Sequence, residues 1–203
     1  MLIREIKQTS PERLTLIFDD GREIKTTLGV VTGRYIRSGE ELDEEGFSEL
    51  CSESALALCK SRALRMVGAR AMSARQLREK LTEKGETPEN AELCVAWLTE
   101  MGLIDDVSFA ESVVRHYAAK GYGAGRIKQE LYRYGIDKEL WDEALRQMPE
   151  QDETVLRFIR SRLTDPSDRA QVKKVSDALY RRGYSWDEIK HAMNTFNAET
   201  EDF

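Results

Sequence analysis

Three glycines, Gly85, Gly135 and Gly183, each close a stretch of sequence that lies over the other two, and this internal repetition restricts the chain to a row of similar units. Leu77, Ile127 and Val175 form one apolar series and Leu81, Leu131 and Leu179 another, each with steps of 50 and then 48 residues. The two series stand four residues apart, one turn of a helix, so they share a buried face. Downstream, Leu93, Trp141 and Ile189 are separated by 48 and 48 residues, as are Ala96, Ala144 and Ala192, and Trp97, Leu145 and Met193. That spacing predicts a buried face on the third helix of each unit and a two-residue insertion in the first unit around Glu86-Thr87-Pro88.

Helix ends are marked as well. Each of the three glycines can supply the left-handed residue just past a helix stop, with apolar Ile136 and Tyr184 following two of them. Ser73 with Gln76 and Ser185 with Glu188 fit the capping box, Thr87-Pro88 places a cap before a first-turn proline, and Asp137 can cap a third helix. The expected helices are 44–70, 73–84 and 88–101; 106–119, 123–134 and 137–147; 152–164, 168–182 and 186–197. The fold class is therefore mainly α, with three tandem three-helix repeats over 43–104, 105–149 and 150–203 in an elongated, curved array. Residues 1–42 differ in kind. Leu14 to Phe18, the Asp19-Asp20-Gly21 turn and Arg22 to Thr26 read as a β-hairpin, to which Leu2 to Ile6 can add a strand. A lone hairpin is marginal in water, so it is expected to pack on the first long helix or to mediate a contact, with acidic Glu40 to Glu45 as the joint.

Net charge is −6, which on its face argues against a nucleic-acid partner, but the charge is segregated. Residues 60–85 carry 8 basic and 2 acidic side chains, 86–106 carry six acids and no base, and 155–190 carry 9 bases against 5 acids. Basic bands that fall on equivalent helices would stack into one positive stripe, which attracts polyanions whatever the net charge. The N-terminus lacks the basic and apolar regions of a secretory leader and no long apolar run exists, so a cytoplasmic, membrane-free protein is expected.

Little enzymatic chemistry is visible. Cys51, Cys59 and Cys94 are widely spaced and read as reduced, core-filling thiols, and two histidines, His116 and His191, leave scant material for a metal site. Gly121-Tyr122-Gly123-Ala124-Gly125-Arg126 has the glycines of a phosphate loop but follows a helix rather than a strand, which favours a flexible helix junction. Tyr122 between Lys120 and Arg126 can stack on an exposed base or pack on the neighbouring helix. Trp97, Trp141 and Trp186 sit on or at the start of third helices and read as core. No cofactor, metal or catalytic residue is expected.

Gly102-Leu103-Ile104-Asp105-Asp106, Phe109-Ala110, Lys120-Gly121-Tyr122-Gly123, Ile127, Leu131 and Gly135-Ile136-Asp137 closely resemble the bacterial RecX family of recombination regulators. The resemblance is densest over 60–147 and continues through the third repeat; where relatives often have proline and a further base after Lys-Gly-Tyr-Gly, this chain has Ala124 and Gly125. It implies a non-enzymatic regulator of DNA repair, homologous recombination and the SOS response. Such a regulator binds the RecA recombinase filament on single-stranded DNA and usually suppresses its ATPase, coprotease and strand-exchange activities; a monomer is expected. On that reading the stripe comprises Arg75, Arg78, Arg115, Lys120, Tyr122, Arg126, Lys128, Arg157, Arg160, Arg162, Lys173 and Lys174. The alternatives are a stand-alone single-stranded nucleic-acid binder and an enzyme using Cys59 or Cys94.

Overall fold

The computed structural model describes residues 1–201. The chain divides into two compact units, with the boundary in sequence between Ile104 and Asp105.

The first unit opens with a three-stranded antiparallel sheet, β1 (Ile3–Ser10), β2 (Arg13–Phe18) and β3 (Glu23–Thr27), in the order β1-β2-β3. Leu14, Leu16 and Phe18 on β2 alternate inward and meet Ile3 and Ile24 over one apolar layer, as a half-solvated sheet requires. Gly21 takes φ +85 in the tight turn after Phe18. The expected hairpin with its added strand is present, and it lies against the first long helix. A short helix, α1 (Leu28–Gly33), follows directly, capped by the Thr27 hydroxyl accepting from the Val30 amide. Next comes α2 (Glu44–Ala69), whose Asp43 cap accepts from Gly46 at 2.8 Å. The acidic joint is folded onto the sheet: the Ile3 amide donates to the Glu40 carbonyl at 2.9 Å and the Leu42 amide to that of Met1 at 2.8 Å.

α2 serves two cores. Its first half gives Leu50 to the sheet and fastens to β3 through Ser54 Oγ and Thr26 Oγ1, buried and 2.8 Å apart. Its second half gives Cys59 and Ala63 to a three-helix core with α3 (Ala74–Glu83) and α4 (Pro88–Glu100). The second unit holds two more triplets: α5 (Asp106–Ala119), α6 (Ala124–Arg133) and α7 (Trp141–Arg146), then α8 (Asp152–Arg160), α9 (Arg169–Arg181) and α10 (Trp186–Glu201). Each triplet closes over its own apolar cluster.

The glycine stops behave as expected. Gly85, Gly135 and Gly183 have φ of +86, +73 and +92, and the amide after each donates back to Leu81, Leu131 and Leu179 respectively. Ser73, Thr87, Asp137 and Ser185 each accept from an amide of the turn that follows.

The third helix of the first triplet requires a correction. Leu93 is 53% exposed and Ala96 is exposed, while Ala91, Cys94, Val95 and Leu98 are the buried residues of α4. They match Trp141, Ala144 and Leu145 of α7 and Met148 just beyond it at a uniform step of 50, and Ile189, Ala192, Met193 and Phe196 of α10 at a further 48. The caps Thr87, Asp137 and Ser185 keep the same steps, so there is no insertion at Glu86-Thr87-Pro88. Trp186 is a second correction. It is 55% exposed and stacks on Tyr180, with ring centroids 5.2 Å apart, instead of entering the core.

One charge is buried among the second triplet. Glu130 on α6 is 3% exposed and accepts from Tyr117 at 3.1 Å and Arg133 at 2.7 Å, with Arg126 at 2.8 Å. Burial pushes its carboxyl up, but the hydrogen bonds from Arg133 and Tyr117 and the two guanidinium charges outweigh that and leave it below the usual carboxylate value. A lowered carboxyl contributes stability above its unfolded pKa and loses it as pH falls through the folded one. Glu130→Ala is therefore expected to cost about 1.5–3 kcal/mol at neutral pH in urea unfolding. The deficit should shrink below about pH 4, where the unfolded carboxyl is protonated. A deficit that is constant from pH 7 to that region would refute the assignment.

Candidate functional site

The Gly121–Gly125 segment is a docking strip. Gly121 ends α5 with φ +74, and Gly123 is the N-cap of α6. The Gly123 amide donates to the Arg182 carbonyl and the Gly125 amide to the Gly183 carbonyl, both at 2.9 Å. Main chain lies directly against main chain. A Cβ on Gly123 would meet the Gly183 carbonyl at 2.6 Å, and one on Gly183 would meet the Arg126 amide nitrogen at 2.1 Å. Only glycine permits such an approach. The junction is therefore a fastened seam between the second and third triplets rather than the flexible connection that the sequence suggests.

Beside the seam, the C-terminal ends of α5, α8 and α9 converge on an open pocket of about 350 Å³. Lys120, Arg157, Arg162 and Arg182 line it together with Phe158, Thr154, Ser161 and Tyr184, and among the described residues no acidic side chain does. The Phe158 ring orients the cations: Arg162 Cζ lies 4.0 Å and Arg182 Cζ 4.6 Å from its centroid. Arg182 also donates through Nη1 to the Gly121 carbonyl at 3.2 Å and lies 5.7 Å from the Tyr122 ring. Lys120 Nζ rests 5.6 Å over Tyr117. Burial pushes the Tyr184 phenol up to about 12, so it remains protonated.

Of the candidate residues, the structure brings Lys120, Arg157 and Arg162 into this pocket. Tyr122 lies half-buried against the second core, in contact with Tyr117 and Arg182. Six of the others are drawn to carboxylates: Arg75 to Glu79, Arg78 to Glu92, Arg115 to Glu111, Arg126 to Glu130, Lys128 to Asp142 and Arg160 to Glu153. Exposed ion pairs of this kind are weak and can be exchanged for a polyanion. Arg126 is the exception, because its partner is buried. Lys173 and Lys174 are exposed on α9 without a carboxylate partner among the described residues. Sequence reasoning missed Arg182 and Phe158. A signal for the first was present, since Arg182 precedes the stop glycine where the other triplets have Lys84 and Tyr134.

Other chemistry is sparse. No group of three or more metal-ligating side chains occurs among the described residues, and none of their helices is long and apolar enough to cross a membrane. Cys59 and Cys94 are fully buried, and burial pushes both thiols up, away from the reactive thiolate.

Comparison with known proteins agrees with the three triplets. Family models for the first, second and third three-helix domains of RecX match residues 59–98, 105–145 and 150–193. A protein of Stenotrophomonas maltophilia named Regulatory protein RecX is 39% identical over 134 residues, which span 64% of this chain and 82% of the relative. Another of that name from Clostridium tetani is 25% identical over 94% of this chain and 91% of its own. A crystal structure of regulatory protein RecX superposes with a TM-score of 0.75 at 25% identity, covering 95% of this chain and 98% of that one. Three matched domains in sequential order, a solved relative of the same architecture and a long alignment at 39% identity lead to one conclusion: the chain belongs to the RecX family.

Proposed function

We propose that this protein is a non-enzymatic cytoplasmic regulator that binds the RecA recombinase filament on single-stranded DNA and inhibits its ATPase, coprotease and strand-exchange activities. Membership in a family whose members bear the name regulatory protein is the observation that carries this reading. The chemistry of the surface is compatible with it. Lys120, Arg157, Arg162, Lys173 and Lys174 are cations without carboxylate partners among the described residues, and Arg75, Arg78, Arg115, Lys128 and Arg160 hold exposed pairs that a polyanion can displace. Repetition supplies the rest. Several weak contacts borne on one chain raise avidity by ~10²–10⁴ when geometry lets them engage together, so a monomer can grip a repeating filament without any single tight site.

The test is ATP hydrolysis by RecA on single-stranded DNA, measured with this protein added below the RecA concentration. Hydrolysis is expected to fall. An unchanged rate at saturating protein would overturn the proposal. Binding to bare single-stranded DNA as tight as to the RecA filament would favour a plain strand binder, whose affinity should drop steeply with salt.

A further inference from the structure

A regulator that grips a filament through spread surface charges has no need of a pocket, yet the seam of the second and third triplets forms one and places four cations around it. The bland account is that these cations offset helix dipoles, because Lys120 and Arg182 cap the C-termini of α5 and α9 and Arg162 follows that of α8. The magnitudes do not support that as the whole account. Each helix C-terminus carries about −0.5 of a charge, so three give about −1.5 against four full positive charges and leave the pocket near +2.5. Arg182 is partly engaged by the Gly121 carbonyl, whereas Lys120, Arg157 and Arg162 have no carboxylate among the described residues.

We infer that the pocket is a binding site for an oligophosphate group, held by Arg157, Arg162 and Lys120 with Arg182 behind them. The size of the charge favours phosphate over a carboxylate. The guanidinium of Arg162 is set on Phe158, which preserves a planar fork that fits oxyanions, phosphoryl groups among them. A surplus of more than two positive charges matches two adjacent phosphoryl groups better than one carboxylate. The phosphates can come from a free oligophosphate or from consecutive linkages of a nucleic-acid strand. The inference does not depend on the filament reading, which RecA hydrolysis tests separately.

Isothermal titration calorimetry of the full chain with inorganic tripolyphosphate, and separately with oligothymidylate, distinguishes the two sources. Saturable binding of one tripolyphosphate per chain is expected. Arg157→Gln with Arg162→Gln should weaken it by about tenfold or more, since each removes a charge-assisted contact. Lys7→Gln with Lys25→Gln, which removes the same charge from exposed positions on the first unit's sheet, should change it by less than about twofold. Arg157 and Arg162 are exposed, so circular dichroism should show both variants folded. Saturable binding of oligothymidylate alone, with the same dependence on Arg157 and Arg162, would support the site and assign its phosphates to a strand. Absence of saturable binding by either probe, or equal weakening in the two double variants, would overturn the inference.

Discussion

Replacing Gly183 by alanine is expected to break the seam between the second and third triplets and to cost more than about 4 kcal/mol. Alanine at φ +92 carries the left-handed penalty of roughly 1–2 kcal/mol. The larger effect is steric. Its methyl would stand 2.1 Å from the Arg126 amide nitrogen, which is backbone at the start of α6 and cannot swing aside as a side chain could. Relief requires the strip to withdraw, which breaks the bonds from the Gly123 and Gly125 amides to Arg182 and Gly183. Each such amide left buried without an acceptor costs about 1–3 kcal/mol. Gly85→Ala is the control, because Gly85 has φ +86 in an identical helix stop with open space around it, and only the conformational penalty applies. Urea unfolding of both variants separates the two contributions. Equal destabilisation of Gly183→Ala and Gly85→Ala would mean that the close approach carries no energy.

Leu98→Ala is expected to destabilise the first unit by about 2–5 kcal/mol, whereas Leu93→Ala should stay within about 0.5 kcal/mol of the parent. The contrast follows from burial, since Leu98 is fully enclosed between α2, α3 and α4 and Leu93 faces solvent. Thermal melts or urea midpoints suffice to check it. A larger loss from Leu93→Ala would restore the alternative register of α4.

That register shows what a chain of this kind reveals and what it conceals. Most helix ends were legible because they depend on neighbours in sequence: Ser73, Thr87 and Ser185 cap, and Gly85, Gly135 and Gly183 stop, through bonds spanning three to five residues. The buried face of α4 is offset by two positions from the predicted one, because the large Leu93 and Trp97 carry a stronger apolar signal than the small Ala91 and Cys94 that let helices approach. α1 gave no periodic signal, being six residues long with two glycines and two valines. For the site, residue type and helix position were enough to nominate Lys120, Arg157 and Arg162. They could not foresee that Arg78 would be claimed by Glu92 on the neighbouring helix, nor that Lys128 would reach Asp142, because those pairings arise only when helices pack. Arg182 and Phe158 lie 62 and 38 residues from Lys120, and nothing local announces their meeting.

The glycine strip has a consequence for how this half of the molecule can be divided. Because amides of one triplet bond to carbonyls of the next, separating them at the short connection near Pro149 would return both partners to water and forfeit the close contact of the seam. The smallest piece that keeps these bonds is then the couple, even though each triplet possesses its own apolar centre. A lineage that duplicates, trades or discards a single triplet here gives up that contact, so exchange of whole couples is the less obstructed route.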